Sequence, residues 1–215
     1  MQYGGNPTGR VLPMSRSPKL RYRSSMVIPT AVRATVLDRF GQMDSRYRDV
    51  VMCAAAIGLR FDLRVLLAAA AYGEEDVRAG IDLARSLGLV VAHEGALDCY
   101  AFRHALTRDI IYSELLAVRM RPLHRRIVRA LERTYASGGA SLSELAYHAW
   151  ASGNPRKSLR YNERAGDEAM SLRAGRDARV YFIRARHLLD VDSTAYRRLT
   201  GKLCAVTEAE PPDPG

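Results

Sequence analysis

His104 stands at a corner in the stretch CYAFRHALTRDIIYSELL, residues 99–116. The residues before it alternate as in a strand, the residues after it have helical spacing, and Arg103 lies directly beside it. An imidazole at such a corner can act as a general base, ligate a metal, donate a hydrogen bond to a bound anion, or pack in the core. The partners that the rest of the chain brings to it decide among these four roles.

Metal and catalytic motifs are the first partners to look for, and the sequence lacks them. The five histidines show no HExxH or other metal-binding spacing, and His104 with Cys99 would supply at most two ligands. There is no GxSxG motif, no convincing pair of carboxylates and no phosphate loop of the form GxxxxGK[ST]. We therefore expect no metal site, no cofactor and no catalytic activity in this segment.

A second candidate site is the basic stretch RMRPLHRRIVRALER, residues 119–133. Arg125, Arg129 and Arg133 follow one another at i+4, and like charges at this spacing cost an isolated helix about 0.2 to 0.5 kcal/mol per pair. An acidic protein surface or a phosphate would relieve this repulsion, so the three arginines are a candidate docking face. The alternative is a solvated arginine face whose aliphatic stems cover the core.

The net charge of +10 is concentrated in two segments. Residues 1–27 and residues 119–137 contribute +5 each, whereas residues 28–104 sum to −1. The first 27 residues carry no acid and contain several prolines and glycines. This composition favours a flexible basic arm over the alternative, an amphipathic transit peptide.

The overall composition is that of a soluble globular protein, with 47% apolar and 26% charged residues. The longest apolar runs are far short of the roughly 20 residues that cross a bilayer, so we expect no membrane contact. Three cysteines without a CxxC pair suit a reducing cytoplasm. We expect Cys53, Cys99 and Cys204 to be buried thiols.

Helical periodicity dominates the chain from residue 28 onward. It begins at Thr30, which can cap the first helix, and returns from Ser45 to a stop signal at Gly58. The short piece RFD is extended, and its last residue, Asp62, can cap a third helix.

A fourth helix and a hairpin complete the part of the chain that leads to His104. The helix opens on three acids and runs over about residues 74–87. The runs LVVAH and LDCYAF, separated by residues 94–96, have the spacing of a β-hairpin. This order of elements predicts a winged helix-turn-helix domain over residues 28–104.

A winged helix usually suggests DNA, but the helix in the recognition position has the wrong charge. It carries four acids against two arginines, namely Glu74, Glu75, Asp76 and Asp82 against Arg78 and Arg85. Because contact with DNA phosphates requires a surplus of cations, we expect no DNA binding through this helix.

The remaining chain is predicted to be helical. Helices over residues 105–117 and 121–136 form a connector, assigned to residues 105–137. Residues 141–206 have the pattern of tetratricopeptide-like helical hairpins, in which Tyr147 and Trp150 pack between helices, and residues 207–215 are tail-like. The predicted fold class is mainly α: a winged helix-turn-helix domain with a small β-hairpin, a helical connector and tetratricopeptide-like hairpins.

Two long runs resemble one known family. FRHALTRDIIYSELL with RPLHRRIVRALE lies within residues 102–132, and LAYHAWASGNPRKSLRYNERAGDEA covers residues 145–169. Both are similar to the region downstream of the nucleotide-binding domain in the bacterial signal-transducing ATPases with numerous domains. These include large ATP-binding LuxR-type transcriptional regulators and AAA ATPase modules attached to cyclase domains. VIPTAVRATVLDRF with AAAIGLRFDLRVLLAAA fits the family's winged-helix segment, so the resemblance spans about residues 27–190.

The resemblance implies a role for His104, with Arg103 beside it. In related nucleotide-operated switches, a histidine at the start of the helix after the winged-helix hairpin contacts the β-phosphate of bound ADP and holds the closed state. GGNP at residues 4–7 is similar to a turn near the end of the family's ATPase domain, which implies that residues 1–27 are a remnant of that domain and that Pro7 lies near the nucleotide. The chain then departs from the family, because a basic, proline-broken stretch replaces the usual helix. With the phosphate loop also missing, ATP or ADP is implied for the parent protein only.

By resemblance, the parent would be a LuxR-type transcriptional regulator whose DNA-binding domain lies outside this segment. The implied partners are the parent's ATPase domain, held shut by the winged helix, and a protein or small-molecule inducer on the helical hairpins. Two alternatives remain open. One is the same module regulating an adenylate or guanylate cyclase, and the other is a stand-alone winged-helix protein that binds DNA.

Overall fold

The computed structural model describes residues 28–93, 98–136 and 141–209 of the chain. The predicted arm at residues 1–27 with Pro7, the predicted hairpin turn at residues 94–96 and residues 210–215 of the predicted tail lie outside the described part. Within that part, none of the helices combines the length and the apolar character needed to cross a membrane.

The described residues form ten helices and a small three-stranded sheet, so the mainly α class predicted from the sequence is confirmed. In chain order the elements are α1 (Thr30–Gly41), α2 (Ser45–Ile57), β1 (Arg60–Asp62), α3 (Leu63–Ala69), α4 (Glu74–Ser86), β2 (Val90–Ala92), β3 (Cys99–Phe102), α5 (Ala105–Ser113), α6 (Ala117–Thr134), α7 (Leu142–Ala151), α8 (Pro155–Ser171), α9 (Gly175–His187) and α10 (Thr194–Ala209).

The sheet is antiparallel and has the order β1–β3–β2. β2 pairs with β3, with Val91 opposite Ala101, so the predicted pairing of the two runs is confirmed. β1 pairs with the other edge of β3, and the rings of Phe61 and Tyr100, opposite each other, stack with 5.9 Å between centroids. The extended piece RFD is therefore a third strand. Its pairing fixes the end of β3, and with it the point where His104 leaves the sheet.

The first four helices begin and end close to where short-range signals place them. α2 begins at Ser45 and ends before Gly58, as predicted. α4 is followed by Gly88, whose φ of +70° is a left-handed conformation that glycine adopts without strain. The apolar stripe of α1 buries Val36 and Phe40 in the core that α2, α3 and α5 share.

Asp62 links the start of α3 to the end of α6. Its carboxylate accepts hydrogen bonds from the Arg64 backbone N–H at 2.7 Å, the Arg64 guanidinium at 2.6 Å and the Tyr135 hydroxyl at 3.0 Å. Burial acts to raise the pKa of Asp62, but the hydrogen bonds from Arg64 and Tyr135 outweigh it and hold the pKa below its ordinary value. The predicted cap of α3 is thus confirmed, and it also serves a long-range contact.

Replacing Asp62 by alanine should lower the free energy of unfolding by about 2 to 3 kcal/mol, because a helix cap and the partner of Tyr135 are lost together. Urea denaturation followed by circular dichroism measures the change. Asp82→Ala is the matched control, since Asp82 is exposed and, among the described residues, forms an ion pair only with Arg85 on its own helix. That control should change stability by less than about 0.5 kcal/mol. Equal effects of the two variants would contradict the role given to Asp62.

Helices α6 to α10 pack in two layers. Lys157 of α8 pairs with Glu132 of α6 at 2.6 Å, and Arg198 of α10 pairs with Glu163 of α8 at 2.8 Å. The even-numbered helices are therefore neighbours in one layer. α7 and α9 contact each other in the second layer, and each also packs against α8.

α8 and α9 approach each other closely at Gly166. The Phe182 ring lies so near Gly166 that a Cβ on Gly166 would stand 2.3 Å from Cε1 of the ring. Asn162, also on α8, donates from Nδ2 to the Ala146 carbonyl at 2.9 Å and so joins α8 to α7. α8 is thus held to both helices of the other layer.

The connector differs from the prediction at the boundary between its helices. The helix predicted over residues 105–117 ends at Ser113, and the next begins at Ala117 instead of residue 121. Pro122 consequently lies inside α6, where its ring nitrogen cannot donate to the carbonyl four residues back. That carbonyl belongs to Val118. Because Val118 is 78% exposed, a water molecule can donate the hydrogen bond that Pro122 cannot.

Three smaller expectations were wrong. Thr30 is the first residue of α1 and not its cap, because Pro29 occupies the N-cap position and has no side-chain donor or acceptor. Only Cys53 is a buried thiol, whereas Cys99 is half-buried and Cys204 is exposed. The tail does not start at residue 207, since α10 continues to Ala209.

Candidate functional site

His104 is the N-cap residue of α5. Its backbone is extended, with φ −138° and ψ 146°, and its side chain is exposed and makes no capping hydrogen bond. The N–H groups of the first turn of α5 therefore have no side-chain cap, and a free imidazole stands beside them. Such a combination suits a bound anion, because both the peptide dipoles and the ring can donate to it.

Arg103 and Arg39 meet next to this corner. The Arg103 guanidinium donates to the Gly88 carbonyl at 3.2 Å, and the Arg39 guanidinium donates to the Leu87 carbonyl at 3.4 Å. Both cations thus lie at the C-terminal end of α4, where the helix dipole is negative. Gly88 is favoured at this point by its φ of +70°, whereas a Cβ there would be in ordinary contact with Arg39 Nη1, at 3.5 Å.

The two arginines line a surface hollow of about 520 Å³, which we call the Gly88 hollow. Its walls come from α1, the end of α4 and the residue after β3: Arg39, Gln42, Ser86, Leu87, Gly88 and Arg103. His104 is the next residue in the chain but is not part of the wall. Arg39 was missed by sequence reasoning, because it lies 64 positions before Arg103 and no local spacing connects them.

The predicted docking face on α6 is partly used inside the molecule. Arg125 donates to the Ser152 carbonyl at the end of α7 at 3.3 Å, and Arg133 donates to the Ala68 carbonyl of α3 at 3.4 Å. Arg129 lies between them on the helix surface and makes no hydrogen bond or ion pair within the described residues. Helix-end carbonyls therefore relieve part of the repulsion that the sequence suggested, and docking through the three arginines stays a prediction.

A buried polar chain was also missed. The Tyr112 hydroxyl lies 3.0 Å from His124 Nε2, and His124 Nδ1 lies 2.8 Å from His148 Nδ1. Because a neutral imidazole has a single N–H, the contact between the two histidines requires the proton on one Nδ1 and a lone pair on the other. The three side chains connect α5, α6 and α7.

Burial keeps both of these histidines neutral. It lowers the pKa of His124 to about 4, with a smaller effect from the cation of Arg108. It also lowers the pKa of His148 well below the ordinary value, together with the neighbouring His124. Within the described residues, no third histidine, cysteine or carboxylate joins them in a group that could hold a metal. Tyr112, His124 and His148 therefore form a structural network, and its contribution to stability depends strongly on pH.

Comparisons with protein-family models, with curated proteins and with solved structures found no match to this chain. The resemblance to signal-transducing ATPases therefore stays a prediction from the sequence.

Of the predicted site residues, Arg103 and His104 are neighbours in the chain, and the structure places Arg39 with Arg103 in the wall of the Gly88 hollow, which His104 does not line. The arginines of α6 belong to a separate surface, beside the ends of α3 and α7. A signal that favoured Arg39 was available in principle: it is the only basic residue in the last turn of α1. That signal becomes informative only when the fold shows α1 beside the end of α4.

Proposed function

We propose that this chain is a regulatory segment, without catalytic activity of its own, of an ATP-dependent signal-transducing protein in the cytoplasm. Residues 28–104 would be its winged-helix domain, residues 105–137 its connector and residues 141–206 its tetratricopeptide-like sensor array. The order helix, helix, strand, helix, helix, strand, strand and the antiparallel pairing of the strands support the winged-helix assignment. The two helical layers support the assignment of the array.

The observation that supports the proposal is the set of potential anion-binding groups at His104, between β3 and α5. An exposed imidazole and the uncapped first turn of α5 lie next to a hollow with two guanidinium groups. A phosphate presented by a neighbouring ATPase domain would find donors there and a positive potential. Binding of ADP at the domain boundary would then favour the closed arrangement of the two domains, and its loss would favour the open one.

DNA is a weaker candidate for this domain, because α4 has no free cation. Arg78 pairs with Glu74 at 2.8 Å and Arg85 pairs with Asp82 at 3.2 Å, both within the helix. Contact with phosphates would require these pairs to break, and the acids would then repel the backbone of DNA. A transcriptional output, as in LuxR-type regulators, would have to come from a domain outside this segment.

The test is a fusion in which a phosphate-loop ATPase domain precedes the chain. His104→Ala should accelerate dissociation of a fluorescent ADP analogue at least about tenfold, because a hydrogen bond to a charged group contributes about 1.5 to 3 kcal/mol. Arg39→Ala should act in the same direction. Because the His104 side chain makes no capping bond, the melting temperature should not change.

His187→Ala is the matched control, since His187 is an exposed histidine on α9, away from the corner. The unfused chain gives the baseline and should retain ADP only weakly. Equal dissociation rates for His104→Ala and His187→Ala would reject the phosphate-sensing role.

A further inference from the structure

Arg184 is a buried arginine, and two of its three guanidinium nitrogens lack a hydrogen-bond partner within the described residues. It lies on α9 and is 5% exposed, and its Nε and Nη2 atoms are buried and make no hydrogen bond within the described residues. Its guanidinium carbon is 5.0 Å from the centre of the Trp150 ring and 5.5 Å from that of the Tyr147 ring, both on α7. The side chain thus contacts two aromatic rings, while three of its five N–H donors have no acceptor within the described residues.

An unpaired buried cation opposes folding, because removal of its hydration is not compensated. Burial accordingly lowers the pKa of Arg184, and no carboxylate counteracts it. The aromatic rings offset only part of the cost. In the other layer, by contrast, Arg198 has Glu163 as a two-point partner. The chain is able to pair its arginines, so the unused donors of Arg184 require a different explanation.

The surroundings of Arg184 combine rigidity with access. Its backbone carbonyl accepts from the Ser158 hydroxyl of α8 at 3.4 Å, which ties this turn of α9 to the neighbouring helix. The Tyr147 and Trp150 rings are only half-buried, and their centres lie 6.4 Å apart with 42° between their planes. Both aromatic residues are therefore reachable from solvent, and the guanidinium carbon lies 5.0 to 5.5 Å from their ring centres.

We infer that Arg184 binds the carboxylate of a small monocarboxylic acid, with Tyr147 and Trp150 forming the apolar wall for the rest of that ligand. The planar fork of a guanidinium matches a carboxylate in two-point geometry. One unused positive charge balances one negative charge, whereas a phosphate dianion would need a second cation. The inference rests on the proposed function only in taking the helical array as the part that receives the inducer.

Trp150 is the only tryptophan of the chain, so its fluorescence reports on this site alone. Titration of the full chain with phenylacetate should change that fluorescence saturably, and the neutral isostere phenylacetamide should not. Arg184→Met should weaken binding at least about tenfold, and Arg184→Lys, which keeps the charge but loses the fork, at least about threefold. Because Arg184→Met removes an unpaired buried charge, its melting temperature should not fall.

Arg179→Met is the matched control, because it removes an exposed arginine from the same helix. Absence of a saturable change with phenylacetate would overturn the inference, as would equal responses to phenylacetamide or to inorganic phosphate. So would equal affinities of the Arg184→Met and Arg179→Met variants. If Arg184→Met does not fold, the affinity of Arg184→Lys for phenylacetate is compared with that of Arg179→Met, and equal affinities would overturn the inference. No nucleotide enters this experiment, so its failure leaves the test of His104 unaffected, and the reverse also holds.

Discussion

Gly166→Ala should destabilise the protein by at least about 2 kcal/mol, and Gly166→Val by at least about 3 kcal/mol. Alanine in the middle of an exposed helix normally gains about 1 kcal/mol over glycine. At Gly166 the sign is reversed, because the added Cβ would stand 2.3 Å from Cε1 and 2.6 Å from Cδ1 of the Phe182 ring. Phe182 is fully buried, so its ring can move only if α8 and α9 separate.

Gly201→Ala is the control for this prediction. Gly201 lies in α10, and a Cβ added there would meet nothing within 4 Å. That variant should gain about 0.5 to 1 kcal/mol from helix propensity alone. Urea denaturation followed by circular dichroism measures both changes. If Gly166→Ala were as stable as Gly201→Ala, the close packing of α8 on α9 would be refuted.

Acid should weaken the fold through the buried histidines. His124 has a folded-state pKa of about 4 and an unfolded-state pKa of about 6.5, so the unfolded chain binds the proton first as the pH falls. The stability of the neutral form is fully present above about pH 6.5 and declines toward pH 4. The shift corresponds to a loss of about 3 kcal/mol from His124, and the lowered pKa of His148 steepens the decline.

His124→Leu separates this effect from general acid denaturation. The variant should lose about 2 kcal/mol at pH 7, because the hydrogen bonds to Tyr112 and His148 are gone. Its stability should then fall less than that of the wild type between pH 7 and pH 4.5, so the two curves converge. His187→Gln, a change at an exposed histidine, should follow the wild type. Parallel curves for His124→Leu and wild type would show that the pair does not govern the acid response.

Elements with a local signal were predicted from the sequence, and elements set by distant packing were not. Gly58 and Asp62 mark the end of α2 and the start of α3, and both positions were found correctly. The boundary between α5 and α6 has no such marker. There the chain leaves the helix to bury Leu115 while Leu116 stays in solvent, which is a consequence of tertiary packing.

The candidate site residues show more clearly that distant packing is not predicted from the sequence. His104 was found because its corner is visible in the alternation of neighbouring residues. Arg39 becomes relevant only through its hydrogen bond to the Leu87 carbonyl at the end of α4, and His148 only through its contact with His124, 24 positions earlier. Arg184 lies in a helix rich in arginine, and nothing in its sequence neighbourhood distinguishes it from the exposed ones. Which of these arginines is buried depends on how the two helical layers pack together.

Helix α6 has a mechanical consequence. Its 18 residues span about 27 Å. Arg126 donates a hydrogen bond to a carbonyl at the end of α3, and Arg125 donates one to a carbonyl at the end of α7. A shift of the C-terminal helices relative to α3 would therefore have to break several of these hydrogen bonds together. The hydrogen bond from the Tyr135 hydroxyl, at the end of α6, to Asp62, at the start of α3, would have to break with them.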